Sequence, residues 1–480
     1  MNYFLGIDIG TTSTKAVAFS PAGEIIFSFV TAYEMTHPAP NRSEQNADEI
    51  LLAVTTGINK VLEKLSPQLP DFISFSAAMH SILAIDENGK LLTPLIIWAD
   101  NRANDIADNL RKTPEAANIY QKTGVPVHAM SPLCKVLWFK ENDVETFAKA
   151  YKFIGIKEYI FYRFFGQYLI DTSVASATGL LNTKTLLWDE EVLKLCSITT
   201  SKLSSIVFSK HILYYKGNYA GLTIADSVPF VIGASDGALS NLGTGATTNN
   251  IMAVTIGTSG AARMIVHAPY TDSKMRTFCY HVKDDQYIIG GANNNGAVVL
   301  QWLKENIFES KDDYGQLYKD AETITAGSEG LLFLPYMLGE RAPVWNSNAK
   351  GVFFGLTIQH TKAHMIRALL EGVIFNMYSI CKILAENRRV TELRASGGFA
   401  RSELWLQILA DVSNVRVAVS GSVESSALGA VLLGAEAVGI ETSFKNELLT
   451  IHEPNATNHA VYIKLFDKFQ RLYDKLQDEM

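Results

Sequence analysis

The stretch Gly6-Ile7-Asp8-Ile9-Gly10-Thr11-Thr12-Ser13-Thr14-Lys15 carries one acid near the end of an apolar run, then breaks into glycine and a cluster of hydroxyls. A strand that ends this way offers backbone N–H groups and small hydroxyls with no bulk in the way. That is what a tight turn over a phosphate chain requires. Asp8, just before the turn, is placed to hold a hydrated Mg²⁺ against those phosphates. Alone, the segment also reads as an ordinary hairpin. About half the chain later, Val254-Thr255-Ile256-Gly257-Thr258-Ser259-Gly260-Ala261-Ala262-Arg263 repeats the order of apolar strand, Ile-Gly-Thr and small hydroxyl. Ile9-Gly10-Thr11 and Ile256-Gly257-Thr258 lie 247 residues apart in a chain of 480. Two such hairpins, one per half, predict a duplicated fold with a nucleotide held between the halves.

Asp236 follows the apolar Phe230-Val231-Ile232 and stands among Ala234, Ser235, Gly237 and Ala238. Small neighbours leave a carboxylate accessible, and in phosphoryl transfer to an alcohol a carboxylate can accept the hydroxyl proton. The same residue can equally cap a helix. Gly397-Gly398-Phe399-Ala400-Arg401-Ser402 stands between a short strand and a helix. Its paired glycines either let an adenine or ribose lie flat against backbone or make a plain strand–helix turn. Glu424-Ser425-Ser426 opens the next helix, as a cap or as part of the same wall. In the first half, Met79-His80-Ser81 and Trp98-Ala99-Asp100-Asn101-Arg102 supply polar groups beside an apolar surface. A polyol needs that combination, although each residue singly also reads as a packing residue.

The elements that must position these residues follow from periodicity. Tyr3–Ile9, Lys15–Ser20 and Glu24–Thr31 read as a three-stranded meander, with Pro21-Ala22-Gly23 as a turn. Helical spacing runs over Ala47–Leu65. Phe72–Ser76 is a buried strand leading into Met79-His80, and Pro94–Trp98 is a short strand. The second half restarts near Ile251 and has helices over Ala363–Ala385, Ser402–Val412 and Ser425–Val438. Gly243-Thr244-Gly245-Ala246-Thr247-Thr248, small and polar, is the expected crossing between domains. The expected domains are therefore 1–245 and 246–480. Neither Gly-x-x-x-x-Gly-Lys-Ser/Thr nor Gly-x-Gly-x-x-Gly after a strand occurs, which sets P-loop and Rossmann folds aside.

With 48% hydrophobic and 19% charged residues, the chain has the make-up of a compact globular enzyme. A net charge of −7 with no basic run argues against nucleic-acid binding. Cys134, Cys196, Cys279 and Cys381 are widely spaced, as in reduced thiols of a cytoplasmic protein. No run is long and apolar enough for a membrane span, so no membrane association is expected.

Taken together, these motifs resemble the FGGY carbohydrate kinases over nearly the whole chain. Asp8–Ser13 and Thr255–Gly260 resemble that family's two phosphate motifs, and Gly397-Gly398 its adenosine motif. Met130-Ser131-Pro132-Leu133-Cys134-Lys135-Val136-Leu137-Trp138 is similar to its first signature. Gly351–Leu356 with His364, Met365 and Ala368 is similar to its second. The resemblance implies an α/β fold of two actin-like, ribonuclease-H-like domains with mixed sheets and a central interdomain cleft, and ATP-dependent, Mg²⁺-assisted phosphorylation of a sugar or polyol. It implies Asp236 as catalytic base, and Asp8 with Asp236 at the metal. Gly10, Thr11, Thr12, Ser13, Lys15, Gly257, Thr258, Ser259, Gly397, Gly398 and Ser402 then line the nucleotide. Met79, His80, Trp98, Asp100 and Arg102 face the acceptor together with Asp236. Within the family, Ala78–Ser81, Ala234–Gly243 and Gly339-Glu340-Arg341-Ala342-Pro343 look like gluconate kinases. Xylulose kinases, which usually follow the catalytic Asp with Asn where this chain has Gly237, come second. A non-catalytic actin-like ATP-binding protein is the remaining class. A homodimer is a possible assembly, by analogy with similar kinases.

Overall fold

The computed structural model describes residues 2–421, 424–444 and 447–480. The chain separates into two compact units. The first comprises Met1–Gly243, Val266–Ile288 and Ser422–Lys445; the second comprises Thr244–Ile265, Ile289–Gly421 and Asn446–Met480. The first division falls at Gly243/Thr244, inside the glycine-rich stretch expected to be the crossing. The division is not a single cut, however, because two later segments pack with the first unit.

The first unit is built on a six-stranded mixed sheet. Phe4–Ile9 pairs antiparallel with Ser13–Phe19, which pairs antiparallel with Ile25–Ala32. On its other side Phe4–Ile9 runs parallel to Ile73–Ala77, and that strand runs parallel to Pro229–Ser235. Ile212–Tyr214 closes this edge antiparallel. The inner strands are buried on both faces, which is why they read as nearly continuous apolar runs. The Ala47–Leu65 helix covers one face, and Asn46 caps it by accepting a hydrogen bond from the Asp48 N–H.

The second unit repeats the plan. Ile251–Ile256 pairs antiparallel with Gly260–Val266 and parallel with Glu392–Ser396. Arg416–Ser420 continues in parallel, and Leu448–His452 closes antiparallel. Each unit thus has a hairpin, two parallel strands and an antiparallel edge in the same spatial order.

The helix Ser425–Val438 packs within the first unit through contacts that exclude side chains. A Cβ on Gly429 would meet the Leu239 carbonyl oxygen at 1.9 Å, and one on Gly6 would meet that of Ala427 at 2.6 Å. This close approach, between segments hundreds of residues apart, gives Glu424 to the first unit.

Candidate active site

In the first unit the Gly10–Ser13 turn is held from behind. Tyr33 Oη donates to the Gly10 carbonyl, Gln45 Nε2 to the Thr11 carbonyl at 2.7 Å, and the Tyr33 N–H to the Thr12 carbonyl at 3.2 Å. The Gly10 N–H closes the turn on the Ser13 carbonyl at 3.0 Å. Carbonyl oxygens, which would repel an anion, are thereby tied to the unit's own donors. Trp98 Nε1 donates to Thr11 Oγ1 at 3.0 Å. A narrow cavity is lined by Gly10, Thr11, Gln45, Met79, Ser81 and Trp98, so hairpin and acceptor candidates share one surface.

Asp8 faces the same end of the sheet. Its carboxylate accepts from Ser76 Oγ at 2.7 Å, across the parallel pair Asp8–Ser76. Burial pushes the Asp8 carboxyl up to about 6; Asp236 and Glu424 add to the rise, while Ser76 and Lys15 oppose it. Lys15, also expected at the nucleotide, pairs with Glu424 at 2.7 Å.

Asp236 begins the helix Asp236–Gly243 directly after the Pro229–Ser235 strand. The Gly237 N–H donates to its Oδ1 at 2.7 Å, and Ser426 Oγ donates to its backbone carbonyl at 3.3 Å. The strand is out of regular register between Val231 and Ala234. Gly233 has φ +72° there, and a Cβ on it would lie 1.7 Å from the Phe75 carbonyl oxygen. A bulge of this kind re-aims the chain beyond it. Buried Lys157, paired with Asp171, donates to the carbonyls of Ile232 and Ala234 at 3.2 and 3.3 Å and clamps the bulge.

Asp100 and Arg102, expected to face the acceptor, are turned on each other. Asp100 is fully buried, and its carboxylate accepts from the Ser43 N–H at 2.7 Å, the Arg102 N–H at 3.0 Å, and Arg102 Nε and Nη2 at 2.8 and 2.9 Å. Arg102 also donates to Glu44 and stacks over Trp138 at 5.1 Å. A buried carboxylate needs such partners, and here they come from within the unit. His80 takes a left-handed backbone, φ +68°, with its ring 6.0 Å from that of Tyr280.

In the second unit the Gly257–Ser259 turn docks on a helix start. The Ala297 N–H donates to the Gly257 carbonyl at 2.7 Å and the Gly296 N–H to the Thr258 carbonyl at 3.0 Å. Gly397, at φ +92°, lies against Ile256, whose carbonyl oxygen would be 2.6 Å from an added Cβ. A cavity of about 400 Å³ opens here. Gly257, Thr258, Gly398, Ala297, Val298, Leu300, Gln301, Tyr314, Tyr318, Arg401 and Trp405 line it. Its two tyrosines, Gln301 and Trp405 were missed from sequence because no local pattern marks them. Ser402 instead caps the Glu403–Ser413 helix, accepting from the Trp405 N–H at 3.3 Å.

The fold is one sheet plan built twice, each copy with a small, bare turn, and the sequence comparisons specify the class of protein. Residues 3–243 match the N-terminal domain, and residues 252–438 the C-terminal domain, of the FGGY family of carbohydrate kinases. The chain belongs to this family, which makes it a carbohydrate kinase with ATP as the implied co-substrate. It is 45% identical to a gluconokinase of Bacillus licheniformis, over 100% of this chain and 97% of that protein. It is 47% identical to one of Bacillus subtilis, over 92% and 89%. A gluconate kinase structure from Lactobacillus acidophilus superposes with a TM-score of 0.95 at 36% identity, covering 99% and 98% of the two chains. A ligand-bound xylulose kinase structure from the same organism gives the same TM-score and identity, with 99% of each chain covered. Residues 425–438 thus belong to the C-terminal family domain by sequence and to the first unit by packing.

Proposed function

We propose that this kinase transfers the γ-phosphoryl group of ATP to the terminal hydroxyl of D-gluconate, giving 6-phospho-D-gluconate and ADP. The observation that carries the substrate is the 45–47% identity to gluconokinases over nearly the full chain. Asp236 accepts the proton of the attacking hydroxyl. Its place at the head of a helix, beyond a clamped bulge, supports that role. Met79, His80 and Trp98 form the acceptor wall in the 1–245 domain. Gly257, Thr258, Ser259, Gly397 and Gly398 receive the nucleotide in the 246–480 domain, with the tyrosine-lined cavity for its base.

Burial and the nearby Asp236 carboxylate raise the proton affinity of Asp8, and an acid pushed up in this way gains from a nearby dication. These residues therefore fit Mg²⁺, which when bound would neutralise phosphate charge. Gly10, Thr11, Thr12, Ser13 and Lys15 present the phosphate-facing turn beside them. Arg102 is committed to Asp100 and Glu44, and His80, next to the cavity-lining Met79, is the proposed partner of the substrate carboxylate. The equally similar xylulose kinase structure keeps D-xylulose as the second acceptor. The test is coupled ADP release on D-gluconate, D-xylulose, glycerol and L-ribulose with ATP and Mg²⁺. A clear preference for gluconate is expected, and a preference for xylulose would overturn the substrate while keeping the chemistry.

A further inference from the structure

Lys135 lies in the Pro132–Asn142 helix, within the stretch that resembles the family's first signature, and no step above uses it. It is fully buried. Its Nζ donates to the carbonyls of Ile97 at 2.7 Å, His80 at 2.8 Å and Met130 at 3.0 Å. An ammonium has three N–H bonds, and here three carbonyl oxygens take all of them. Burying a charge in this way is costly unless every donor is satisfied.

The three carbonyls belong to three separate loops. His80 follows Met79, and its backbone is held at φ +68°, a region uncommon for residues other than glycine. Ile97 precedes Trp98, whose indole reaches the Thr11 hydroxyl. Met130 leads into the helix that carries Lys135 itself. Met79 and Trp98 face the same narrow cavity beside Gly10 and Thr11.

We infer that Lys135 is a positioning residue of the acceptor site: its ammonium fixes the Met79–His80 turn and the Trp98 turn at one spacing, and so sets the wall against which the sugar is held. An Nζ bonded to three carbonyls acts as a template, because moving either turn lengthens a charge-assisted bond. A neutral side chain of the same length would fill the space but strip this donor from three buried carbonyls, of which that of Ile97 keeps the Asp100 N–H at 3.1 Å. The inference rests on the placement of Met79 and Trp98 at the acceptor.

The test is Lys135→Met and Lys135→Arg in the full chain, with KM measured for acceptor and ATP separately. Acceptor binding without ATP is followed in parallel by calorimetry. In Lys135→Met the acceptor KM should rise about ten- to hundredfold, as for loss of a charged hydrogen-bond donor, with the ATP KM unchanged within about twofold. Lys135→Arg keeps the charge on a flat fork that cannot meet three converging oxygens, so it should show a smaller rise in the same sense. If Lys135→Met does not fold, Lys135→Arg decides. A fall in kcat alone, with both KM values and calorimetric acceptor binding as in wild type, would mean only a lost folded fraction and would overturn the inference. Should wild type prefer another acceptor of the panel, the gluconate proposal falls, and the same KM ratio measured with that acceptor still decides Lys135.

Discussion

The Gly10–Ser13 and Gly257–Ser259 turns occupy equivalent places in two copies of one sheet plan, yet they differ in charge and in what holds them. Asp8 sits opposite Ser76 in the first unit, and Thr255 sits opposite Ser396 in the second. Each pair is joined side chain to side chain, at 2.7 Å and 2.8 Å. The scaffold therefore keeps the contact and changes the acid to a hydroxyl. Directly beyond those serines the first unit has Ala77-Ala78-Met79-His80 where the second has Gly397-Gly398-Phe399-Ala400. The first turn is tied by the side chains of Tyr33 and Gln45 together with the Tyr33 N–H; the second is tied by the backbone of Gly296 and Ala297. The first copy presents an acid at its turn, and the second presents a hydroxyl and bare glycine backbone.

The sharpest way to break this contrast is to remove the acid at the head of the Asp236–Gly243 helix. Asp236→Ala should lower kcat by on the order of 10²–10⁴, read by ADP release with gluconate, as for loss of a general base. A near-normal rate would leave the first unit with no catalytic distinction.

Asp8→Asn removes the acid that distinguishes the first hairpin from the second. Activity should fall by roughly 10²-fold through weaker stabilisation of phosphoryl charge. Stability should move the other way. The folded Asp8 carboxyl, at about 6, holds its proton more tightly than the unfolded one, so wild type loses stability as pH rises from about 4 to about 6. The variant should then be more stable at pH 7 by on the order of 1–3 kcal/mol, and the gain should vanish below about pH 4. Denaturant melts at the two pH values check both signs.

Gly296→Ala strikes the second turn alone. The new Cβ would meet the Gly257 carbonyl oxygen at 2.5 Å and must displace the loop. The ATP KM should rise at least about tenfold, a cost of misplaced phosphate contacts, while acceptor binding measured by calorimetry stays as in wild type. The smallest effect belongs to Ser402→Ala. Loss of the cap should lower stability by about 1 kcal/mol, and an unchanged ATP KM would assign Ser402 to the helix; a raised one would return it to the nucleotide.

Much of the fold was legible. The helix expected at Ala47–Leu65 forms over those residues, as does Ser425–Val438. Both hairpins form around their glycines, and the short strand expected before Gly397 is Glu392–Ser396. These are local features written in periods of 3.6 and 2 and in turn residues. The site was legible only where its residues are local too. Gly10, Thr11, Met79 and Trp98 share a cavity, and Gly257, Thr258 and Gly398 share another. The pairing of Asp100 with Arg102 was not legible, because nothing near them in sequence shows that Ser43 and Glu44 close over the pair.

By itself the sequence determined where strands turn, which turns are bare enough for phosphate, and that the plan occurs twice. Chain spacing and residue size suffice for that. Tertiary structure alone decided that Glu424 pairs with Lys15 across 409 positions, that Gln45 ties the Thr11 carbonyl, and that Lys135 collects the carbonyls of His80 and Ile97. Such choices belong to buried polar groups, which must find partners wherever the packed chain supplies them, and no local pattern records who those partners are.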